Sequence, residues 1–200
     1  MIFGSPAIRP TDLAEIVATK VRPMTNKLLR KSHKSLKADI KTPGRRAIRT
    51  KAVKYVLRRE AKKHGFRVFP DNDKRFTKPK SQWLFDLIWW NDGSRGKGVE
   101  LAVESEWNAD EGAVVHDFEK LLAVKSPLKL MIYRARPKTT VQVRESIKTY
   151  LKNYGQHVVG ENYVMCEFRS NWSCFCYLYR VKKHHNGRVA DVKFRTLFEC

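Results

Sequence analysis

Two neighbouring segments place carboxylates inside apolar, β-like runs, and this feature constrains the fold more than any other. Residues 83–90 hold Asp86, and residues 99–107 hold Glu104 and Glu106. Burying a carboxylate in apolar surroundings is strongly unfavourable unless a cation or a hydrogen-bond network meets it. We therefore expect the three acids to share a cationic partner, for which a divalent metal ion is the natural choice.

The charge of the chain is large and unevenly distributed. The formal net charge is +21; residues 1–80 contain 23 Lys/Arg against 6 Asp/Glu, residues 81–124 contain 3 against 9, and residues 125–200 contain 15 against 5. A positive field of this size attracts polyanions. Nucleic acid is the expected partner; a membrane surface and a merely solvated basic surface are the alternatives. An acidic island between basic arms is expected of an enzyme that binds phosphates and holds metal ions where it cleaves.

The cysteines and the hydropathy pattern indicate the compartment. Cys166, Cys174, Cys176 and Cys200 lack the two-pair spacing of a zinc site, which predicts reduced, mostly buried thiols and a reducing cytoplasm. The chain starts without a charged segment followed by an apolar run, and it has no stretch of 18 or more apolar residues. We expect a soluble, cytoplasmic protein without a membrane partner.

The first part of the chain is predicted to be a basic extension. A short helix begins near Thr11 and is expected to end at Pro23. Residues 24–46 are rich in Lys, Arg and Ser and predict a mobile basic arm or loose helix. The chain length suits one substantial core, so the prediction is an extension over residues 1–45 and one domain over residues 46–200.

The remaining periodicities predict alternating helices and strands. Helices are expected at 46–64, 112–124 and 140–154. Strands are expected at 66–70, 82–90, 99–107, 128–134, 163–168, 173–180 and 189–194. Asn186-Gly187 is expected to form the turn before the last strand. This order predicts an α/β fold with a mixed central sheet flanked by helices.

The order helix, strand, strand with Asp, strand with Glu-x-Glu, helix, strand over residues 46–134 resembles the core of the PD-(D/E)XK nuclease superfamily, the restriction-endonuclease-like fold. By this resemblance Asp86 takes the first metal position and Glu104 the second. The family's lysine position falls on Glu106, as in Glu-x-Glu relatives, while other relatives keep a lysine on the following helix, where Lys120 is the candidate. The resemblance also implies an acid on the preceding helix, which here is Glu60.

The spacing and the resemblance together predict a metal site. The period of two along a strand places Glu104 and Glu106 on one face, where Asp86 can complete an oxygen cluster. Such a cluster suits Mg²⁺, with Mn²⁺ as an alternative, because hard cations take carboxylates, waters and substrate phosphate. Lys120 would stabilise charge at the phosphorus. For Lys120 and Glu60, a surface role and ion pairing with neighbouring bases are the respective alternatives.

The function expected from the resemblance is a metal-dependent endodeoxyribonuclease of restriction or phage-defence type, acting on double-stranded DNA, with a homodimer left open. The alternative is a catalytically inactive nucleic-acid-binding protein on the same fold, because fold does not secure activity. What separates the two is whether a lysine reaches the acids, or whether Glu106 alone serves as it does in Glu-x-Glu relatives. Phosphate contacts are expected from the basic N-terminal residues Lys27, Arg30, Lys31, Lys34, Lys37, Arg45, Arg46 and Arg49.

Overall fold

The computed structural model describes residues 7–35, 44–70, 84–92, 98–182 and 191–199. The helices in these ranges are α1 (Pro10–Ser35), α2 (Gly44–Lys63), α3 (Glu111–Ala123) and α4 (Thr140–Asn153). The strands are β1 (Arg67–Phe69), β2 (Leu87–Asn91), β3 (Gly98–Glu106), β4 (Leu128–Arg134), β5 (Asn162–Phe168), β6 (Cys174–Lys182) and β7 (Asp191–Glu199).

The seven strands form one mixed sheet whose spatial order follows the chain, from β1 to β7. The pairs β3–β4 and β4–β5 are parallel, and the other four neighbouring pairs are antiparallel. Leu87 pairs with Val103, so the start of β2 lies at the same end of the sheet as the last residues of β3. We call this end of the strands the sheet edge. This edge also carries the carboxyl ends of β4 and β5.

The helices cover the two faces of the sheet, and each face has its own core. One core joins α1 and α2 to inward residues of β3 such as Leu101 and Val103. The other joins α3 and α4 to residues of the opposite parity, such as Ala102. The alternation follows from the two-residue period of a strand. The prediction of an α/β fold with a mixed sheet flanked by helices is confirmed at this level.

Most predicted elements are confirmed within about two residues at their ends, and the start of β2 and the end of β7 differ by about five. The second predicted helix is α2, and its chain reversal occurs at Gly65, which has a φ of 75°. Glycine adopts this left-handed conformation without the steric cost that a Cβ brings. The strand predicted over 82–90 begins later, at Leu87, so Asp86 precedes β2. The Asn186-Gly187 turn lies outside the described residues.

The prediction that the first helix ends at Pro23 is wrong. The helix α1 continues through Pro23 to Ser35, and the fully buried Thr25 donates a hydrogen bond to the Val21 carbonyl at 2.9 Å. A helical proline lacks one backbone donor and normally ends or bends a helix. Here packing against α2 and the sheet offsets that cost. Leu13 lies in the same core as the strands, so α1 packs against the rest of the fold.

Three of the four cysteines lie in the core, as predicted. Cys166, Cys174 and Cys176, on β5 and β6, are buried and are not joined in disulfides, while Cys200 lies outside the described residues. Within the described ranges, no helix combines the length and the apolar composition that crossing a membrane requires.

Candidate active site

Asp86 is anchored at the sheet edge by two elements. Its Oδ2 accepts hydrogen bonds from the Ser105 backbone N–H at 3.0 Å and from the Ser105 hydroxyl at 2.6 Å. Its Oδ1 lies 3.0 Å from Lys54 Nζ on α2, and both side chains are about a quarter exposed. The serine hydroxyl also contacts Thr50 of α2 at 3.3 Å. The carboxylate is therefore held in place while one side remains open to solvent.

Glu104 lies on β3, near enough to Asp86 to be affected by its charge, but it is much more deeply buried, with 4% of its side chain exposed. Lys120 Nζ on α3 lies 2.7 Å from Glu104 Oε1 and 2.7 Å from Asp117 Oδ1. Burial raises the pKa of Glu104 to about 8 against the opposing effect of Lys120, and the charges of Asp86 and Asp117 add to the rise. Charge repulsion from its two neighbours thus acts on Glu104.

Lys120 remains a cation in this cluster. Burial lowers its pKa, but the hydrogen bonds and charges of Asp117 and Glu104 outweigh that effect and leave the pKa raised. The predicted lysine therefore reaches Glu104 from the helix that follows β3. The i, i+3 spacing of Asp117 and Lys120 on α3 places both on one helix face.

Glu106 is not brought into this cluster in the way the strand parity predicts. Its Oε1 accepts a hydrogen bond from the Asn108 backbone N–H. Over the described part of the chain, no three His, Cys, Asp or Glu side chains are grouped so that they could hold a metal ion. The predicted set of Asp86, Glu104 and Glu106 is thus not assembled, and the first two acids contact Lys54 and Lys120 instead.

Glu60 lies at the other end of α2, where it joins α1 to α2. Its carboxylate is within 3.0 Å of Lys20 Nζ and 2.9 Å of Lys63 Nζ. Burial would raise the pKa of Glu60, but these two lysines lower it below its ordinary value. Glu60 is thus an ion-pair partner of neighbouring bases, and within the described residues it does not contact the acids of the sheet edge.

A basic cluster lies over the same sheet edge. The Arg49 guanidinium is 5.5 Å from the Trp107 ring centroid and 5.2 Å from the Trp172 centroid. Arg46 Nη2 lies 3.4 Å from Asn108 Oδ1, beside the end of β3. Burial lowers the pKa of Arg49, and the positive charges of Arg134, Arg45 and Arg46 lower it further. Concentrated positive charge at the carboxyl ends of parallel strands is suited to an anionic ligand.

The other predicted phosphate contacts fall on α1 and on undescribed parts of the chain. Lys27 and Arg30 are exposed on α1. Lys31 and Lys34 are helical, but their side chains are not described, and Lys37 lies outside the described residues. That these residues contact phosphate remains a prediction.

Sequence reasoning missed Lys54 and Asp117 as members of the cluster. Lys54 has the sequence environment of an ordinary surface base, and its contact with Asp86 depends on the rotation of α2 against the sheet. Asp117 could have been identified from its i, i+3 spacing to Lys120 once α3 was placed after β3.

Asp86 and Glu104 together are a suitable pair of ligands for Mg²⁺. Magnesium in proteins is commonly bound by one or two carboxylates, with waters and substrate phosphate completing the shell. Both residues offer hard oxygen donors, and the raised pKa of Glu104 reflects a buried acid that a divalent cation would compensate. The two carboxylates are therefore the kind of donor that magnesium takes, although within the described residues no third potential ligand is grouped with them.

Comparison of the chain with protein-family models, with curated proteins and with solved structures found no match.

Proposed function

We propose that the protein is a metal-dependent endodeoxyribonuclease of restriction or phage-defence type, with a restriction-endonuclease-like core. The observation that carries the proposal is the contact of Lys120 with Glu104 at 2.7 Å. A lysine within reach of the acidic pair distinguishes a competent member of the resembled family from one that has lost its lysine. Lys54, 3.0 Å from Asp86, supplies a second cation at the same edge.

The order of elements adds support. The segment α2, β1, β2, β3, α3, β4 has the order on which the resemblance rests, with Asp86 immediately before the second strand and Glu104 on the third. The two acids lie at the edge where the basic cluster of Arg45, Arg46, Arg49 and Arg134 also lies. A DNA backbone drawn to these arginines would bring a phosphate close to the acids.

The residues of this chain have separable parts in the proposed reaction. Asp86 and Glu104 would hold Mg²⁺ or Mn²⁺, which supplies Lewis acidity toward the phosphate and lowers the pKa of a bound water. Lys120 would stabilise the negative charge that develops on the phosphate oxygens. The hydrogen bonds from Ser105 fix the orientation of Asp86, and Arg46 and Arg49 would hold flanking phosphates.

A specific observation also supports the alternative, an inactive nucleic-acid-binding protein. Asp86 and Glu104 are each paired with a lysine, and within the described ranges no three potential metal ligands are grouped. These two ion pairs can stabilise a fold without any metal. The basic cluster would then bind nucleic acid without cleaving it.

Incubation of the purified protein with supercoiled plasmid in Mg²⁺, Mn²⁺ or EDTA tests the two proposals. We expect nicked or linear products in Mg²⁺ and Mn²⁺, their loss in EDTA, and their loss in D86N and E104Q. The matched control is E119Q, which changes an exposed acid on α3 and should cleave like the wild type. Retained plasmid binding without metal-dependent cleavage in the wild type would favour the binding protein.

A further inference from the structure

Two cavities on α2 share Tyr55 and Arg59 as lining residues. One has a volume of about 380 Å³ and lies between α1 and α2. The other has a volume of about 630 Å³ and lies between α2 and β1. The two cavities therefore adjoin along Tyr55 and Arg59, and we call them together the α2 groove. Its characteristic residues are Lys20, Lys27, Tyr55, Arg59, Lys62 and Arg67.

The α2 groove is strongly basic. Seven Lys and Arg side chains line the two cavities, and Glu60 is the one acid among the lining residues. The Glu60 carboxylate is already compensated by Lys20 and Lys63. The lining therefore has a net positive charge, which favours an anionic ligand.

The groove also offers aromatic and apolar surface between its cations. Tyr55, at the junction of the two cavities, has 46% of its surface exposed. Phe66 and Phe69 line the larger cavity, and the Arg67 guanidinium lies 5.0 Å from the Phe69 ring centroid. An exposed aromatic ring flanked by Lys and Arg is the combination by which proteins stack bases and hold the phosphates between them.

The size of the two cavities favours a single strand over a duplex. Both volumes fall within the range of roughly 300–1,000 Å³ that is typical of concave ligand sites. Such cavities can admit an unstacked base, whereas a duplex hides the faces of its bases within the helical stack. We propose that the α2 groove binds single-stranded nucleic acid, with Tyr55 stacked on a base and Arg59, Lys27 and Lys62 contacting phosphates.

The α2 groove is separate from the candidate active site but is carried by the same helix. Lys54 contacts Asp86, while its neighbour Tyr55 lies in the groove. The inference rests on the proposed function for its class of partner, nucleic acid, and does not require cleavage. Binding is therefore measured in EDTA, and plasmid cleavage is measured separately, so that failure of one proposal is distinguishable from failure of the other.

Fluorescence anisotropy with a labelled oligothymidylate of about 12 nucleotides, and with a labelled duplex of equal length, tests the groove. We expect Y55S to weaken binding of the oligothymidylate by about tenfold, the low end of the effect of losing one aromatic stack. Duplex binding should change by less than about twofold, because the duplex is expected at the sheet edge. R59Q should act in the same direction through lost phosphate contact.

The control variant is K152Q on α4, which removes an exposed lysine from the opposite side of the sheet. Equal losses of oligothymidylate and duplex affinity in Y55S would overturn the proposal, as would unchanged oligothymidylate affinity in both Y55S and R59Q. Competition by polyglutamate that displaces the oligothymidylate from wild type and Y55S alike would assign the groove to an acidic protein and also overturn it. Far-ultraviolet circular dichroism establishes that each variant is folded.

Discussion

Glu104 and Glu161 are buried to almost the same extent, with 4% and 3% of their side chains exposed, yet their pKa values shift in opposite directions. The pKa of Glu104 is raised to about 8 by burial, whereas hydrogen bonds and charges lower that of Glu161 despite burial. The two side chains are thus almost equally exposed, and the opposite pKa shifts come from their different partners.

The partners of Glu161 form a complete network. Lys129 Nζ lies 2.7 Å from Oε1, and the Tyr163 hydroxyl donates to Oε2 at 2.9 Å. His157 Nδ1 lies 3.1 Å from the same oxygen. Glu104 forms an ion pair with Lys120, and the same lysine also forms an ion pair with Asp117. A fully satisfied network stabilises the fold, whereas an under-compensated buried acid with like charges nearby is typical of functional sites.

The largest expected effect comes from weakening the complete network. E161Q removes the charge that compensates the fully buried Lys129, and we expect a loss of about 3–5 kcal/mol in the free energy of unfolding. Urea denaturation at neutral pH measures it. The exposed acid Glu145 of α4, replaced as E145Q, is the control and should change stability by less than about 0.5 kcal/mol. A loss no greater than the control's would break the comparison.

The next effect concerns catalysis at the cluster of Glu104, Lys120 and Asp117. K120M should reduce the rate of Mg²⁺-dependent plasmid cleavage about 100- to 1,000-fold, because one electrostatic stabiliser of the transition state is lost. DNA affinity should change little. Lys125, exposed beyond the end of α3, provides the matched variant K125M, which should cleave at the wild-type rate. Similar rates for the two variants would mean that Lys120 does not take part in cleavage.

A pH titration of stability sharpens the contrast between the two acids. Folding raises the pKa of Glu104 from its ordinary 4.5 to about 8. Between these values the folded protein retains a proton that the unfolded chain has lost, so the contribution of Glu104 to stability falls as pH rises through this window. E104Q should remove this slope and be more stable than the wild type by about 1–3 kcal/mol above pH 8.

Urea unfolding in EDTA at several pH values measures this effect, and E119Q provides the comparison with an exposed acid. Parallel stability profiles for wild type and E104Q would mean that Glu104 is ionised in the fold throughout the window, and its environment would then resemble that of Glu161.

The smallest effect is electrostatic and concerns the basic cluster at the sheet edge. Replacing Arg45 and Arg46 together by Gln should make the slope of log affinity against log salt shallower by up to about 1.8, since each phosphate contact contributes about 0.9. Sequence preference should not move, because phosphate contacts carry no base information. A salt titration of duplex binding in Ca²⁺ measures the slope, and an unchanged slope would show that these arginines do not touch DNA.

Local periodicity was sufficient to predict most elements and part of the candidate site. The parity of β3 separates Glu104 from Ser105, and the helix after β3 carries Lys120 as predicted. The membership of Lys54 could not be predicted, because it depends on how α2 is rotated against the sheet, which hydrophobic spacing does not specify. Glu60 contacts Lys63 through the i, i+3 spacing on α2 and contacts Lys20 through the packing of α1 against α2.

Two further differences arise where tertiary contacts override a local rule. Pro23 has the propensity to end a helix, yet α1 continues because residues on both sides of it pack against the rest of the fold. Glu106 has the parity of Glu104, but at the end of β3 the chain turns and its carboxylate accepts the Asn108 N–H. Parity predicts the face of a strand and not the contacts at its last residue.

The spatial order of the strands matches their order of synthesis, which has a consequence for the nascent chain. Lys54, Asp86, Glu104 and Lys120 all precede β4, so the acidic pair and its lysines are complete before the last three strands leave the ribosome. Each later strand extends an existing edge without threading past another. Until β5 arrives, however, the apolar edge of β4 is unpaired, and an unpaired edge invites aggregation. Translation pauses after β4 should therefore reduce the soluble yield more than pauses after β6.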